Sequence, residues 1–174
     1  MIVTTKTGDQ GTTEIQSGRI SKADPLLEVL GDLDELSAEC LVFASLTPAY
    51  RLVMEALVQD LSAGCAELAG YGEGQFGQRR ERLELEIQEI LKDRSEFQFH
   101  YPLTCPSSAL LNRLRAVSRR AERHWWGLQN SRKTNPQLGI YLNRLSDYFF
   151  ALQIQAAVES KSSSSTNSTA DSAM

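Results

Sequence analysis

The fold is decided by the stretch LLNRLRAVSRRAER, which occupies residues 110–123. Apolar residues such as Leu114 and Val117 recur in it every three or four positions, which is the spacing of one face of an α-helix. Three polar residues share a neighbouring stripe of the same helix: Arg115, Arg119 and Glu122.

A second stretch, YLNRLSDY at residues 141–148, contains two polar residues in an otherwise apolar helix. Asn143 and Asp147 are four positions apart and therefore lie on one face. Polar groups next to a core need partners. Together the two stretches supply the guanidinium, amide and carboxylate groups that suit a polyphosphate site. The alternative is that the arginines cover a solvent-facing surface and pair with nearby carboxylates.

Composition restricts the class of protein. The chain has 174 residues, a formal net charge of −4 and three cysteines, which form no CxxC pair. One domain is expected at this length, and the acidic balance argues against nucleic acid as a partner. No apolar run is long enough to span a membrane, and no signal peptide is recognisable. We therefore expect a cytoplasmic protein with reduced thiols.

Five helices are predicted after a non-helical arm, residues 1–22, which is interpreted as an ordered loop or a disordered segment. Helices are indicated by caps or prolines at their starts and by apolar stripes along them. Their predicted extents are residues 25–46, Pro48 to a glycine cluster at Gly70, residues 78–94, residues 106–128 and residues 136–160. The bundle domain covers residues 23–160. Residues 161–174, rich in Ser and Thr, are predicted to be a disordered tail.

The arm contains the segment TKTGDQGTT, residues 5–13. Its glycines leave backbone N–H groups accessible, and these, with Lys6 and the hydroxyls, suit phosphate oxygens. A plain polar loop is the alternative. The glycine cluster at residues 70–77 lacks a preceding strand and a Lys-Ser/Thr pair, and it is interpreted as a connector.

These motifs resemble those of the PduO-type ATP:cob(I)alamin adenosyltransferases. The family's opening motif, TKTGDKG, matches residues 5–11 except at Gln10. The family's motifs KDD, VDELN, RxxxRRAER and YLNRLSD match residues 22–24, 33–37, 115–123 and 141–147, the last without a change. The order and separations agree over roughly residues 3–158.

The resemblance implies an all-α, five-helix bundle with a ferritin-like up-down arrangement, assembled as a homotrimer with active sites between subunits. It implies that Mg-ATP is bound by Thr5, Thr7, Gly8, Lys22, Arg119, Glu122 and Asn143. The family pairs an aspartate of helix one with the first arginine of helix four across the subunit boundary, and these correspond to Asp34 and Arg115. No metal ligand is assigned, because ATP carries the Mg²⁺.

The implied activity is transfer of the 5′-deoxyadenosyl group of ATP to the cobalt of reduced cobalamin, giving adenosylcobalamin and triphosphate. Cobalt is itself the nucleophile, so no side chain has to act as nucleophile or base. Arg119 and Lys22, with Mg²⁺, would stabilise the departing triphosphate. Phe99 corresponds to a family phenylalanine beneath the corrin ring, where an apolar group excludes the lower axial ligand. Arg119 and Phe99 are thus the predicted catalytic residues.

Several positions depart from the family pattern on the expected corrinoid side. Thr104 and Cys105 replace two glycines, and Asn112 replaces the usual histidine. A second interpretation is therefore open, in which a non-catalytic relative binds nucleotide or corrinoid as an escort or regulatory subunit of a cobalamin-dependent enzyme. For the enzyme, a corrinoid reductase and an adenosylcobalamin-dependent enzyme are the candidate partners. Asp147 is assigned an orienting role without a specified ligand.

Overall fold

The computed structural model describes the backbone of Thr4, residues 6–93 and residues 105–170, with side chains as far as Ser160. A hairpin of β1 (Thr12–Ile15) and β2 (Gly18–Ser21) precedes five α-helices. The helices are α1 (Pro25–Leu46), α2 (Arg51–Ala69), α3 (Phe76–Leu91), α4 (Pro106–Leu128) and α5 (Pro136–Ala170). The predicted five-helix, all-α fold is confirmed. None of the helices in the described ranges is both long and apolar enough to cross a membrane.

Local sequence signals set the helix ends. Oδ1 of Asp24 accepts a hydrogen bond of 2.9 Å from the backbone N–H of Leu26 and so caps α1. Sγ of Cys105 accepts one of 3.4 Å from the N–H of Ser108 and caps α4 in the same way. Gly70 ends α2 with a φ of 90°, which a side chain would strain.

The helices enclose one apolar core. Helix α4 packs against both α1 and α5, α2 packs against α1, and α3 lies against α5. The largest fully buried side chains are Trp125, Tyr141, Tyr148, Phe43, Phe76 and Phe149. Burial of each such side chain contributes roughly 1.5–3 kcal/mol. The core therefore fixes how α4 and α5, which carry most of the predicted site, meet each other.

A buried carboxylate connects α2, α3 and α5. Asp60 is 1% exposed and accepts hydrogen bonds from Arg79 and Arg82 of α3. The hydroxyl of Tyr141 in α5 donates a third hydrogen bond to Asp60, at 2.8 Å. The two guanidinium groups and the phenol satisfy the charge of Asp60, which would otherwise be costly to bury.

A second buried carboxylate connects α1 to α4. Asp32 is 4% exposed, accepts a hydrogen bond of 2.8 Å from Nε of Arg120, and lies 2.6 Å from Nδ1 of His124. Glu28 is close enough to complete a group of possible metal ligands with these two residues. Because Arg120 and His124 already satisfy the carboxylate of Asp32, we interpret these residues as a link between α1 and α4.

The hairpin is absent from the sequence prediction, which expects a loop or a disordered arm. Thr12 pairs with Ser21 and Ile15 with Gly18, and Ile15 is buried at 7% exposure. The pairing leaves Gln16 and Ser17 as a two-residue turn, and Gly18, which begins β2, adopts a φ of 118° that glycine tolerates.

The predicted limits of two helices need correction. Helix α5 continues to Ala170, so its predicted end near Ser160 is wrong. Adding residues to an existing helix costs less free energy than nucleating a new one. The polar sequence after Ser160 can therefore continue α5. The disordered tail predicted over residues 161–174 stays a prediction, and residues 171–174 lie outside the described ranges. Helix α3 covers Phe76–Leu91 and is followed by a turn at Lys92 and Asp93, so its predicted extent of residues 78–94 is also wrong at both ends.

Candidate functional site

Glu122 and Asn143 meet across the contact between α4 and α5. Nδ2 of Asn143 donates a hydrogen bond of 3.1 Å to Oε1 of Glu122. This bond uses one carboxylate oxygen and one N–H group, so the second oxygen of Glu122 and the amide oxygen of Asn143 remain as acceptors. Two residues predicted to bind ATP are therefore brought together.

The two helices approach closely one turn from this pair. Gly139 precedes Asn143 by one turn, and Trp125 follows Glu122 by one turn. A Cβ atom at Gly139 would stand 2.3 Å from the ring of Trp125, so a glycine is needed there. Since Trp125 is fully buried and cannot withdraw, this contact sets the separation at which Glu122 and Asn143 bond.

The arginines of α4 have different environments. Arg113 and Arg120 reach carboxylates of α1. Arg119 is exposed, and across the described residues it makes no hydrogen bond or ion pair. It lies on α4 about one turn before Glu122. A guanidinium without an internal partner is available to an anionic ligand.

Lys22 lies beside Gly8 in the arm. A Cβ atom at Gly8 would be 3.0 Å from Nζ of Lys22, so the glycine makes room for the ammonium group. The turn is closed by hydrogen bonds from Asp9 N–H to the carbonyl of Lys6, at 3.3 Å, and from Gly11 N–H to that of Gly8, at 3.2 Å. Lys22 forms no ion pair with the residues that the structure describes, which leaves its charge for a phosphate.

Arg19, which the sequence prediction did not include, holds the arm in shape. Its Nη2 donates to the carbonyl of Thr7 and, at 2.7 Å, to Oγ1 of Thr12. The backbone N–H of Gln16 donates to the carbonyl of Ala69 at the end of α2, at 3.1 Å. Only recognition of the hairpin would have identified Arg19, because strand pairing brings it next to the arm.

The predicted ATP-binding residues form two groups in one chain. Gly8 and Lys22 belong to the arm, which is attached near the ends of α1 and α2, whereas Glu122 and Asn143 lie where α4 meets α5. No hydrogen bond or ion pair links Gly8 or Lys22 to Glu122 or Asn143 in the described ranges. A single described chain therefore presents each group separately.

Asp34 and Arg115 do not pair with each other within the part of the chain that the structure describes. Oδ1 of Asn112 accepts two hydrogen bonds from Arg115, at 3.0 Å from Nε and 2.9 Å from Nη2. Asp34 is exposed on α1, on the side that faces α2. Burial raises the pKa of the Cys65 thiol in α2, and the nearby Asp34 carboxylate raises it further. The predicted contact of Asp34 with Arg115 of another subunit stays a prediction.

Three residues of interest lie outside the described residues: Thr5, Phe99 and Thr104. Their predicted places in the ATP site, beneath the corrin ring and in the altered loop stay predictions. Cys105 is described, and in addition to capping α4 its Sγ lies 3.6 Å from the carbonyl of Ala156 in α5. This cysteine therefore helps fix the start of α4.

Asp147 belongs to a surface tie between α3 and α5. Its Oδ2 accepts a hydrogen bond of 2.6 Å from Nη1 of Arg144. Nε of Arg144 donates to Glu84 of α3 at 3.0 Å. Asp147 therefore contacts Arg144 in the described structure, and the orienting role assigned to it stays a prediction.

The fold and these side chains define a helical bundle with a candidate polyphosphate-binding surface, and comparison with known proteins narrows this class. The family model described as cobalamin adenosyltransferase matches residues 3–156. A corrinoid adenosyltransferase of Bacillus subtilis is 35% identical, with 84% of this chain and 82% of that protein aligned. The corrinoid adenosyltransferase PduO of Salmonella typhimurium is 34% identical, with 87% of this chain and 48% of that protein aligned. This chain spans about half the length of the Salmonella protein and of its Citrobacter freundii counterpart.

Solved structures have the same fold. A variant of the PduO-type ATP:corrinoid adenosyltransferase from Lactobacillus reuteri, complexed with cobalamin and ATP, superposes with a TM-score of 0.83 at 28% identity. The match covers 90% of this chain and 91% of that one. Another variant of that enzyme, complexed with ATP, also gives 0.83. The chain belongs to the cobalamin adenosyltransferase family.

Proposed function

We propose that this protein transfers the 5′-deoxyadenosyl group of ATP to the cobalt of reduced cobalamin, releasing triphosphate. The observation that carries the proposal is the unpaired guanidinium of Arg119, about one turn from the bonded pair of Glu122 and Asn143. Membership of the family and the ATP and cobalamin bound by the Lactobacillus reuteri relatives support the same activity.

The cations fit a polyphosphate. Arg119 and Lys22 each lack a counter-charge among the described residues, so a triphosphate would supply one to both. The phosphates would lie against the turn that contains Gly8 and Thr7, whose carbonyl accepts a hydrogen bond from Arg19. Thr5 belongs to the same arm of the sequence. Mg²⁺, carried by ATP, would neutralise part of the phosphate charge.

The adenosine half of ATP carries hydrogen-bond donors, and the pair of Glu122 and Asn143 offers hydrogen-bond acceptors. The free oxygen of Glu122 and the amide oxygen of Asn143 suit ribose hydroxyls or an exocyclic amino group. Holding the nucleoside there would fix C5′, the carbon to be attacked, relative to the triphosphate.

The chemical step requires little of the side chains. A bond forms between cobalt(I) and C5′ with the electron pair of cobalt, while the bond from C5′ to the triphosphate oxygen breaks and its electrons leave with triphosphate. No proton has to move, so positioning and charge stabilisation by Arg119 and Lys22 are what this chain contributes. Phe99 would exclude a lower axial ligand of the corrinoid.

Assembly as a homotrimer would complete the site. Two groups of ATP ligands that make no bond to each other within the described chain can meet between subunits. Asp34 and Arg115, which also do not pair within the described chain, can then pair across a subunit boundary. Loss of one partner of such an ion pair would cost roughly 3–5 kcal/mol if it is well buried. In a cytoplasmic setting, a corrinoid reductase would supply the substrate and an adenosylcobalamin-dependent enzyme would receive the product.

Anaerobic incubation with ATP, Mg²⁺ and chemically reduced cobalamin, followed by visible spectroscopy, tests the activity. The expected result is the spectrum of an alkylcobalamin, which photolysis after admission of air then converts to that of a cob(III)alamin, since homolysis gives cobalt(II) and O₂ oxidises it. Omission of ATP and the Arg119→Ala variant are the controls. ATP binding without alkylcobalamin would reject the enzyme and favour the escort or regulatory subunit.

A further inference from the structure

Asn112 controls the orientation of Arg115 in this chain. The two residues are three positions apart on α4, and Oδ1 of Asn112 accepts from both Nε and Nη2 of the guanidinium, at 3.0 Å and 2.9 Å. Both side chains are half-buried. Two bonds to one oxygen fix the plane of the guanidinium as well as its direction.

These bonds occupy one edge of the guanidinium and leave another edge open. Nε and one N–H of Nη2 are used, so both N–H groups of Nη1 and the second of Nη2 remain. The Nη1 and Nη2 groups together match the two oxygens of a carboxylate. Arg115 is thus held as a receptor for a carboxylate with its terminal edge free.

The chemistry of Asn112 suits this task. An amide oxygen accepts hydrogen bonds without cancelling the positive charge, whereas an aspartate at the same position would neutralise the arginine and compete with an external carboxylate. An alanine would leave the guanidinium to sample several rotamers, and binding would then bear the cost of ordering it.

We propose that Asn112 is a positioning residue that presents the terminal edge of Arg115 to a carboxylate of a second copy of this chain, namely Asp34. This inference rests on the subunit contact of the proposed function. It gives a task to a residue whose departure from the family's histidine otherwise counts against corrinoid binding. Asp34 has no ion-pair partner among the described residues of its own chain.

A double-mutant cycle tests the proposal. Asn112→Ala, Arg115→Ala and the double variant are compared by sedimentation over a range of concentrations, with kcat and KM for ATP measured in parallel. Asn112→Ala should raise the subunit dissociation constant about tenfold when Arg115 is present. It should cause no further change in the Arg115→Ala background, because Asn112 acts through that residue.

The Asn112→Asp variant separates orientation from charge. It keeps the acceptor for Arg115 and should preserve the helical content of the chain, yet it should weaken assembly at least as much as Asn112→Ala. Equal effects of Asn112→Ala in both arginine backgrounds, or assembly unchanged in Asn112→Asp, would overturn the proposal. A wild-type chain that stays monomeric would also overturn the proposal. A chain that assembles and shows the expected coupling between Asn112→Ala and Arg115→Ala, but transfers no adenosyl group, would reject the proposed activity alone.

Discussion

Nδ2 of Asn143 bonds to Oε1 of Glu122 at 3.1 Å, and this bond joins α5 to α4 at an exposed edge of their contact. An exposed hydrogen bond adds only about 0.5–1.5 kcal/mol to stability. Its main effect is therefore on orientation, since it fixes the direction of the remaining acceptors of both residues. The pair is therefore proposed to orient a ligand and not mainly to stabilise the fold.

Exchange of the carboxylate of Glu122 and the amide of Asn143 separates a role in ligand binding from a role in stability. Asn143→Asp places a second carboxylate against Glu122 and should raise KM for ATP by at least about tenfold while the melting temperature changes little, because like charges repel. The double variant Glu122→Gln with Asn143→Asp restores a hydrogen bond and the net charge. It should keep the melting temperature of the wild type without recovering ATP use, because donor and acceptor positions facing the ligand are then exchanged. Recovery of activity in the double variant would contradict a ligand-orienting role.

Gly139→Ala should disturb the same pair from one turn away. Its Cβ would stand 2.3 Å from the ring of Trp125, which forces α4 and α5 apart. Overpacking of this kind costs about 1–3 kcal/mol, and KM for ATP should rise with it. Gly127→Ala is the control, since no atom lies within 4 Å of a Cβ there and the higher helix propensity of alanine should slightly stabilise α4. Urea unfolding of both variants provides the measurement.

The helices and the candidate site residues of α4 and α5 could be proposed from the sequence because their signals are local. Apolar spacing and caps identified α1 and α4, and polar residues beside apolar stripes identified Glu122 and Asn143. The bonds of Asn112 to Arg115 and of Arg19 to the arm were not predicted. They depend on rotamers and on strand pairing, which a spacing pattern does not contain.

Arg119→Ala should reduce kcat/KM by roughly 10²–10³, because the proposed site would then lose a charge facing the departing triphosphate. Folding should be unaffected, since the side chain is exposed and makes no bond to another described residue. Arg123→Ala is the matched control, as Arg123 is also an exposed arginine of α4 without such a bond. Its kcat/KM should stay within about threefold of the wild type. Similar losses in both variants would indicate a general effect of positive charge.

Asp60→Asn should be among the most destabilising polar substitutions. It removes the only carboxylate that Arg79 and Arg82 share across α2 and α3 in the described structure. The expected loss is about 3 kcal/mol, at the low end for a buried pair because both guanidiniums reach solvent. Tyr141→Phe removes a single donor and should cost about 1 kcal/mol. Chemical denaturation measures both values, and a larger loss for Tyr141→Phe would show that the phenol hydrogen bond contributes more to stability than the two guanidinium ion pairs.

Buried tyrosines make the fold sensitive to alkali. Burial, followed by the hydrogen bond and the charge of Glu86, raises the pKa of Tyr148 above its ordinary value. Burial and then Asp60 act in the same direction on the pKa of Tyr141. Above about pH 10 the unfolded chain loses these protons while the folded chain keeps them, so the free energy of unfolding should fall as the pH rises.

The slope contributed by each such tyrosine approaches about 1.4 kcal/mol per pH unit above pH 10. Urea unfolding between pH 8 and pH 11 should therefore show a steep loss of stability that Tyr148→Phe reduces by one such contribution. Tyr71→Phe, at an exposed position, controls for loss of a phenol. The sign is fixed because the folded state binds more protons than the unfolded state in this range. Stability that stays constant up to pH 11 would mean that the Tyr148 phenol ionises as readily in the folded chain as in the unfolded one.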